Sequence, residues 1–150
     1  MDEGLSEIEL RIWRLFLSAN THLFERLDHE LQQRSHLSLT DYDILSMLAE
    51  APERRLRMSE LADQVLVSRS RLTYRIDRLV ELEYVARQEC EDDRRGLFAI
   101  LTDTGSKALA TAGLGHVADV RTWFFAAIKD DELDVVARIM SRMDELLSSN

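Results

Sequence analysis

The chain has 150 residues, 45% of them hydrophobic and 31% charged, with one proline and five glycines. That is enough apolar content to bury a core and too little punctuation for a disordered or loop-built protein. A net charge of −9 argues on average against a nucleic-acid partner, and a single cysteine, Cys90, excludes an internal disulfide.

From Leu5 to Arg34 apolar residues recur at helical spacing with no breaker. Leu5, Ile8, Ile12, Leu15, Ala19 and Leu23 form one stripe, and Trp13, Phe16, Phe24, Leu27 and Leu31 form an adjoining one. The spacing predicts a helix of about 30 residues, longer than globular helices usually run. Two stripes call for two partners, the chain's own domain and a second subunit. The segment SLTDYDILSMLAEA follows, with Thr40 expected as N-cap and Asp41 and Asp43 in the first turn, and Pro52 ending the helix.

MSELADQV reads as a helix of about two turns with Ser59 at its cap. A longer helix opens on Ser68 and buries Leu72, Ile76, Leu79 and Val80 at i, i+4, i+7 and i+8. The opposite face carries Ser70, Tyr74 and Arg78, flanked by Arg71 and Thr73. Two short helices in succession, the second arginine-rich on its free face, make a helix-turn-helix pattern. Between positions 54 and 78 seven arginines face only three acids, so the charge of this acidic chain is polarised.

YVARQEC and LFAILT are rich in strand formers and joined by the turn EDDRRG, which predicts a β-hairpin. The remainder is helical again, from Thr104 to about Ile128. A last helix follows, capped by Asp130 or Asp131, with Leu133, Val136, Ile139, Met140, Met143 and Leu147 on one face. The fold class expected is mainly α: a three-helix reading head with a β-hairpin wing, a winged helix-turn-helix, flanked by long terminal helices. Residues 37–103 would form the DNA-binding region and residues 1–36 and 104–150 the dimerisation region of a single domain, 1–150.

The order of elements, the run Asp93-Arg94-Arg95-Gly96-Leu97-Phe98-Ala99-Ile100-Leu101-Thr102 followed by Asp103 and Gly105, and the helix VSRSRLTYRIDRLVELEYV with Asp77-Arg78-Leu79 resemble the MarR (multiple-antibiotic-resistance regulator) family over essentially the whole chain. Two departures stand out: Ala99 where a branched residue is more usual, and Glu83 where the family often ends the helix with glycine. The resemblance implies a homodimer that binds a pseudo-palindromic operator on double-stranded DNA, usually as a repressor, and often releases it on binding a small aromatic or phenolic effector.

The recognition helix would enter the major groove, with Arg71 and Tyr74 at base edges, Ser70 and Thr73 making shorter contacts, and Ser68, Arg69, Arg75 and Arg78 on phosphates. At the wing, Arg95 is expected in the minor groove by family position and Arg94 on a phosphate. Asp93 would pair with one of these arginines. Arg54, Arg55 and Arg57, with Thr40, are expected at the DNA backbone, although a plain charged loop explains the three arginines equally well. Trp13, Phe16, Tyr42 and Trp123 are candidate walls of an effector pocket, with His22, Arg14 or Arg121 as polar partners. The competing reading makes these aromatics core or dimer interface.

Neither metal-ligand spacing nor a catalytic constellation occurs, so neither a cofactor nor an enzyme is expected. Two alternatives remain: a winged-helix module binding protein or nucleic acid without a specific operator, and an oxidant sensor at Cys90. The acids Glu89, Glu91 and Asp92 around that thiol oppose the second. The absence of a long apolar run and the acidic opening MDEGLSEIEL predict a cytoplasmic protein without a membrane segment.

Overall fold

A computed structural model describes residues 4–65, 68–90 and 96–148. The chain runs α1 (Glu7–Ser35), α2 (Leu39–Glu50), β1 (Arg55–Arg57), α3 (Met58–Val65), α4 (Arg69–Glu81), β2 (Val85–Glu89), β3 (Leu97–Leu101), α5 (Asp103–Trp123) and α6 (Leu133–Ser148). α1, α2, α4 and α5 each begin where a side chain takes up an orphan N–H group. At α1, Ser6 and Glu9 form a reciprocal capping box.

The N-cap of α2 is Ser38, not Thr40. Ser38 Oγ accepts from the Asp41 N–H at 3.0 Å and Asp41 Oδ2 accepts from the Ser38 N–H at 2.9 Å, which leaves Thr40 inside the first turn and Asp43 beyond it. Ser59 also lies within its helix. The entry to α3 is closed by Glu60, whose Oε2 accepts from the Arg57 N–H at 3.0 Å. α5 ends at Trp123 instead of reaching Ile128, and short 3-10 turns at Phe125–Ala127 and Asp130–Glu132 lead into α6.

The core of the reading head gathers Ile44, Leu45 and Leu48 of α2, Leu61 of α3 and Leu72, Ile76 and Leu79 of α4. Val85, Ala99 and Leu101 of the wing strands complete it from the sheet side. The hairpin expected from the sequence is part of a three-stranded antiparallel sheet in the order β1-β3-β2. β1 pairs Leu56 with Ala99, while β2 pairs Val85 with Leu101. Ala99 is fully buried in this central strand.

The joint between α4 and the wing is a Schellman turn. Tyr84 N–H donates to the Leu79 carbonyl and Glu83 N–H to the Val80 carbonyl, both at 2.9 Å, with Glu83 in the left-handed region at φ 60. Thr102 Oγ1 donates to the Glu83 carbonyl at 2.6 Å and accepts from the Gly105 N–H at 2.9 Å. Gly105 lies so close to this turn that a Cβ there would fall 2.1 Å from the Tyr84 carbonyl oxygen.

Outside the head the chain buries little against itself. α1 buries only Leu27 and Leu31, and α6 buries none of its residues. Leu5 just ahead of α1, Ile8, Ile12, Trp13, Leu15 and Phe24 on α1, and Ile139, Met140, Leu146 and Leu147 on α6 are exposed. No described helix is long and apolar enough to cross a membrane.

Candidate nucleic-acid interface

Ser68, in extended conformation, caps α4 by accepting from the Arg71 N–H at 3.3 Å, and its hydroxyl lies 3.2 Å from that of Ser70. With Leu72, Ile76 and Leu79 buried, the helix turns Arg69, Ser70, Arg71, Thr73 and Tyr74 to solvent. Tyr74 is 67% exposed, which is unusual for a tyrosine and leaves both ring and hydroxyl available for a partner. Thr73 Oγ1 donates back to the Arg69 carbonyl at 2.9 Å. Arg71 has no ion-pair partner among the described residues.

Two arginines of the same helix are engaged inside the fold. Arg75 Nη1 lies 3.4 Å from Oδ2 of the fully buried Asp41, and Arg78 Nη2 donates to the His36 carbonyl at 2.8 Å. On the side facing the wing, Asp77 Oδ1 pairs with Arg87 Nη2 of β2 at 2.5 Å. Thr40, Arg71, Tyr74 and Arg75 together line a recess of about 360 Å³ between α2 and α4, which brings the expected backbone-contact residue Thr40 beside the reading face.

The expected charged loop of Arg54, Arg55 and Arg57 is in part a strand. Pairing of β1 with β3 places the Arg55 and Arg57 guanidiniums 4.9 and 5.6 Å from the centre of the Phe98 ring. Arg55 also pairs with Glu53 at 2.5 Å and Arg54 with Asp103 at 3.2 Å, so two of these three charges are partly neutralised. Asp93, Arg94 and Arg95, with the Asp93 pairing expected at the wing tip, lie outside the described residues. The strands below the tip are joined by the Cys90 N–H donating to the Gly96 carbonyl at 2.9 Å. Cys90 is only 4% exposed, which opposes its use as a reactive thiol.

The residues named for an effector pocket do not share one cavity. Trp13 and Phe16 stack on each other at 6.0 Å on the outer part of α1. His22 and Trp123 meet Ala19, Leu23, Glu25, Arg26 and His29 in an open cavity of about 760 Å³, where the Arg26 guanidinium lies 4.7 Å from the Trp123 ring centre. Tyr42 is elsewhere, 4.5 Å from His116 at the meeting of α1, α2 and α5. Arg121 lines a third cavity of about 420 Å³ with His116, Val117, Val120 and Phe125, and Arg14 is exposed on α1.

His116 carries no signal in the sequence, because a lone histidine on a helix makes no pattern. Its Nδ1 is buried without a hydrogen-bond partner among the described residues. Desolvation holds its pKa below the usual imidazole value; Asp119 acts in the opposite direction and Arg34 adds to the lowering.

A family model described as the MarR family matches residues 36–96. The structure of Sco3205, a MarR family transcriptional regulator from Streptomyces coelicolor in complex with DNA, is 38% identical. It superposes with a TM-score of 0.89 over 95% of this chain and 90% of that one. AbsC, a MarR family transcriptional regulator from the same organism, is 34% identical with a TM-score of 0.89 and coverage of 99% of each chain. The HTH-type transcriptional regulator MhqR of Bacillus subtilis (strain 168) is 22% identical over 143 residues, covering 95% of this chain and 93% of its own.

Proposed function

This chain belongs to the MarR family of DNA-binding transcriptional regulators, and from that premise we propose that it acts as a homodimeric repressor on a pseudo-palindromic operator, released by a small aromatic or phenolic compound. The observation that carries the operator reading is the outer face of α4. Ser70, Arg71, Thr73 and Tyr74 are exposed together on a helix whose other side is locked into the core. A major groove admits one such helix and offers each base pair as a distinct donor and acceptor pattern.

In this reading Arg71 and Tyr74 meet base edges, and Ser68 and Arg69 hold phosphates at the N-terminus of α4. Thr40 and Arg57 touch the flanking backbone, and Arg95 enters the minor groove with Arg94 beside it. The exposed apolar faces of α1 and α6 supply the dimer contact, since faces of that extent are rarely left to water. DNase footprinting on genomic fragments tests the operator reading. A protected palindrome supports it, whereas binding that is salt-sensitive but indifferent to sequence favours a winged-helix module without an operator.

A further inference from the structure

We propose that Arg75 and Arg78 are positioning residues: they fasten the recognition helix α4 to the elbow between α1 and α2, so that α1 sets the separation of the two reading heads through these guanidiniums. The inference rests on the DNA-binding dimer proposed above. It concerns two arginines whose place on the helix would otherwise assign them to phosphates.

The elbow itself is rigid. α1 ends at His36 in the left-handed region at φ 57, with its N–H bonded to the Gln32 carbonyl at 3.1 Å. Leu37 and Ser38 are buried, and the Leu39 N–H donates back to Asp28 Oδ1 of α1 at 2.8 Å. The Ser38–Asp41 capping box then fixes the first turn of α2. A chain held at both sides of a turn in this way moves with α1 as one piece.

Arg75 and Arg78 lie three residues apart, one helical turn, and so can reach the same neighbouring segment. Arg78 takes the carbonyl of His36, the residue at the corner, and Arg75 takes Asp41, the residue that closes the capping box. Asp41 is fully buried. Its Oδ2 serves the Ser38 N–H and Arg75, and its Oδ1 has no partner among the described residues. Withdrawing Arg75 to a phosphate would strip a buried carboxylate of its cation, which is costly. Its unpaired Oδ1 is the second acceptor that a two-pronged pair with Arg75, the geometry guanidinium and carboxylate prefer, would use. Arg78 thus ties α4 to the end of α1, which carries the exposed apolar side chains, and Arg75 ties it to the first turn of α2 at the same elbow.

The experiment compares the full-length wild type with Arg75→Gln, Arg78→Gln, Asp41→Asn and Arg78→Lys on the footprinted operator and on derivatives with one or two base pairs inserted between the half-sites, over a series of salt concentrations. Melting curves are recorded in parallel, and Arg75→Lys stands in if Arg75→Gln does not fold. The expected result is that each Gln variant loses roughly fivefold or more of the wild type's preference for the native spacing while keeping its salt slope. Asp41→Asn reproduces Arg75→Gln, and Arg78→Lys recovers part of the loss. A slope reduced by about 0.9 for each arginine removed would make them phosphate contacts and overturn the proposal. So would a lower melting temperature with spacing preference intact, because the two residues would then only stabilise the head. A wild type that protects no palindrome would overturn the operator reading itself, and this inference with it.

Discussion

Glu83 shows how one residue can be read from sequence and then given its physical meaning. It was visible as a departure from glycine at the end of α4, and the structure places it at φ 60, inside a turn that needs the left-handed region. A side chain there costs about 1–2 kcal/mol relative to glycine, partly offset by glycine's greater loss of freedom on folding. Glu83→Gly is therefore expected to stabilise the fold by about 0.5–1 kcal/mol in urea unfolding, and a destabilised variant would show that the side chain makes a contact worth more than the strain. Arg71 and Tyr74 allow a second single-residue test. Alanine at either is expected to relax preference at particular base pairs by about 1–3 kcal/mol, whereas Arg57→Ala should weaken all sequences alike and lower the salt slope by about 1. Variants of Arg71 and Tyr74 that keep the wild-type ranking of operator mutants would place base reading on another face.

At the scale of elements, what was legible was what repeats. The 3.6-residue period marked α1, α4 and α6, and short runs of strand formers on either side of a charged turn marked β2 and β3. β1 escaped because its three residues, Arg55–Arg57, are too few to show a period and follow a turn in which Glu53 and Arg54 take positive φ. Ser38 lost the cap to Thr40 on paper because both are good caps by composition. Spacing does not separate them either, since Asp41 stands three residues beyond Ser38 and Asp43 three beyond Thr40; the fold closes the box at Ser38. Leu101, Thr102 and Gly105 belong to the motif on which the family resemblance rests, but the motif does not show what those residues do. In the fold, Thr102 and Gly105 clasp the Schellman turn of α4 and so join wing, recognition helix and α5 at one point.

Where α1, α2 and α5 meet, α1 is buried only through Leu27 and Leu31. At that junction His116 packs on Tyr42 of α2 near Arg34 of α1 and Asp119 of its own helix. Its folded pKa lies below 6.5, so between those values the unfolded chain binds a proton that the folded chain does not. Its contribution is present above pH 6.5 and is lost as pH falls toward the lowered folded value. The melting temperature of the wild type is expected to drop across that window more steeply than that of His116→Leu. Parallel curves for the two would show that other groups account for the acid sensitivity.

For the whole molecule, the distribution of apolar surface matters more than its amount. The reading head closes its own core, while the outer part of α1 and all of α6 turn apolar side chains to solvent. Such faces fit a two-fold dimer whose axis is mirrored by the operator, with half-site centres about one helical turn (roughly 34–36 Å) apart. Light scattering at micromolar concentration should give a dimer, and a folded monomer there would contradict both the faces and the spacing. The effector reading belongs to this scale too, because a ligand can release DNA only by binding one arrangement of the two heads better than the other. The open cavity beside Trp123, with His22, Arg26 and His29 on its wall, offers an aromatic face and groups suited to an acid or phenolate. Trp13 and Trp123, the chain's two tryptophans, lie outside the reading head. Quenching by aromatic acids or phenols should be diminished in Trp123→Phe and accompanied by weaker operator binding of roughly 5–150-fold in the wild type. Compounds that quench Trp123 while DNA affinity stays constant would leave the cavity as a binding site and remove it from regulation.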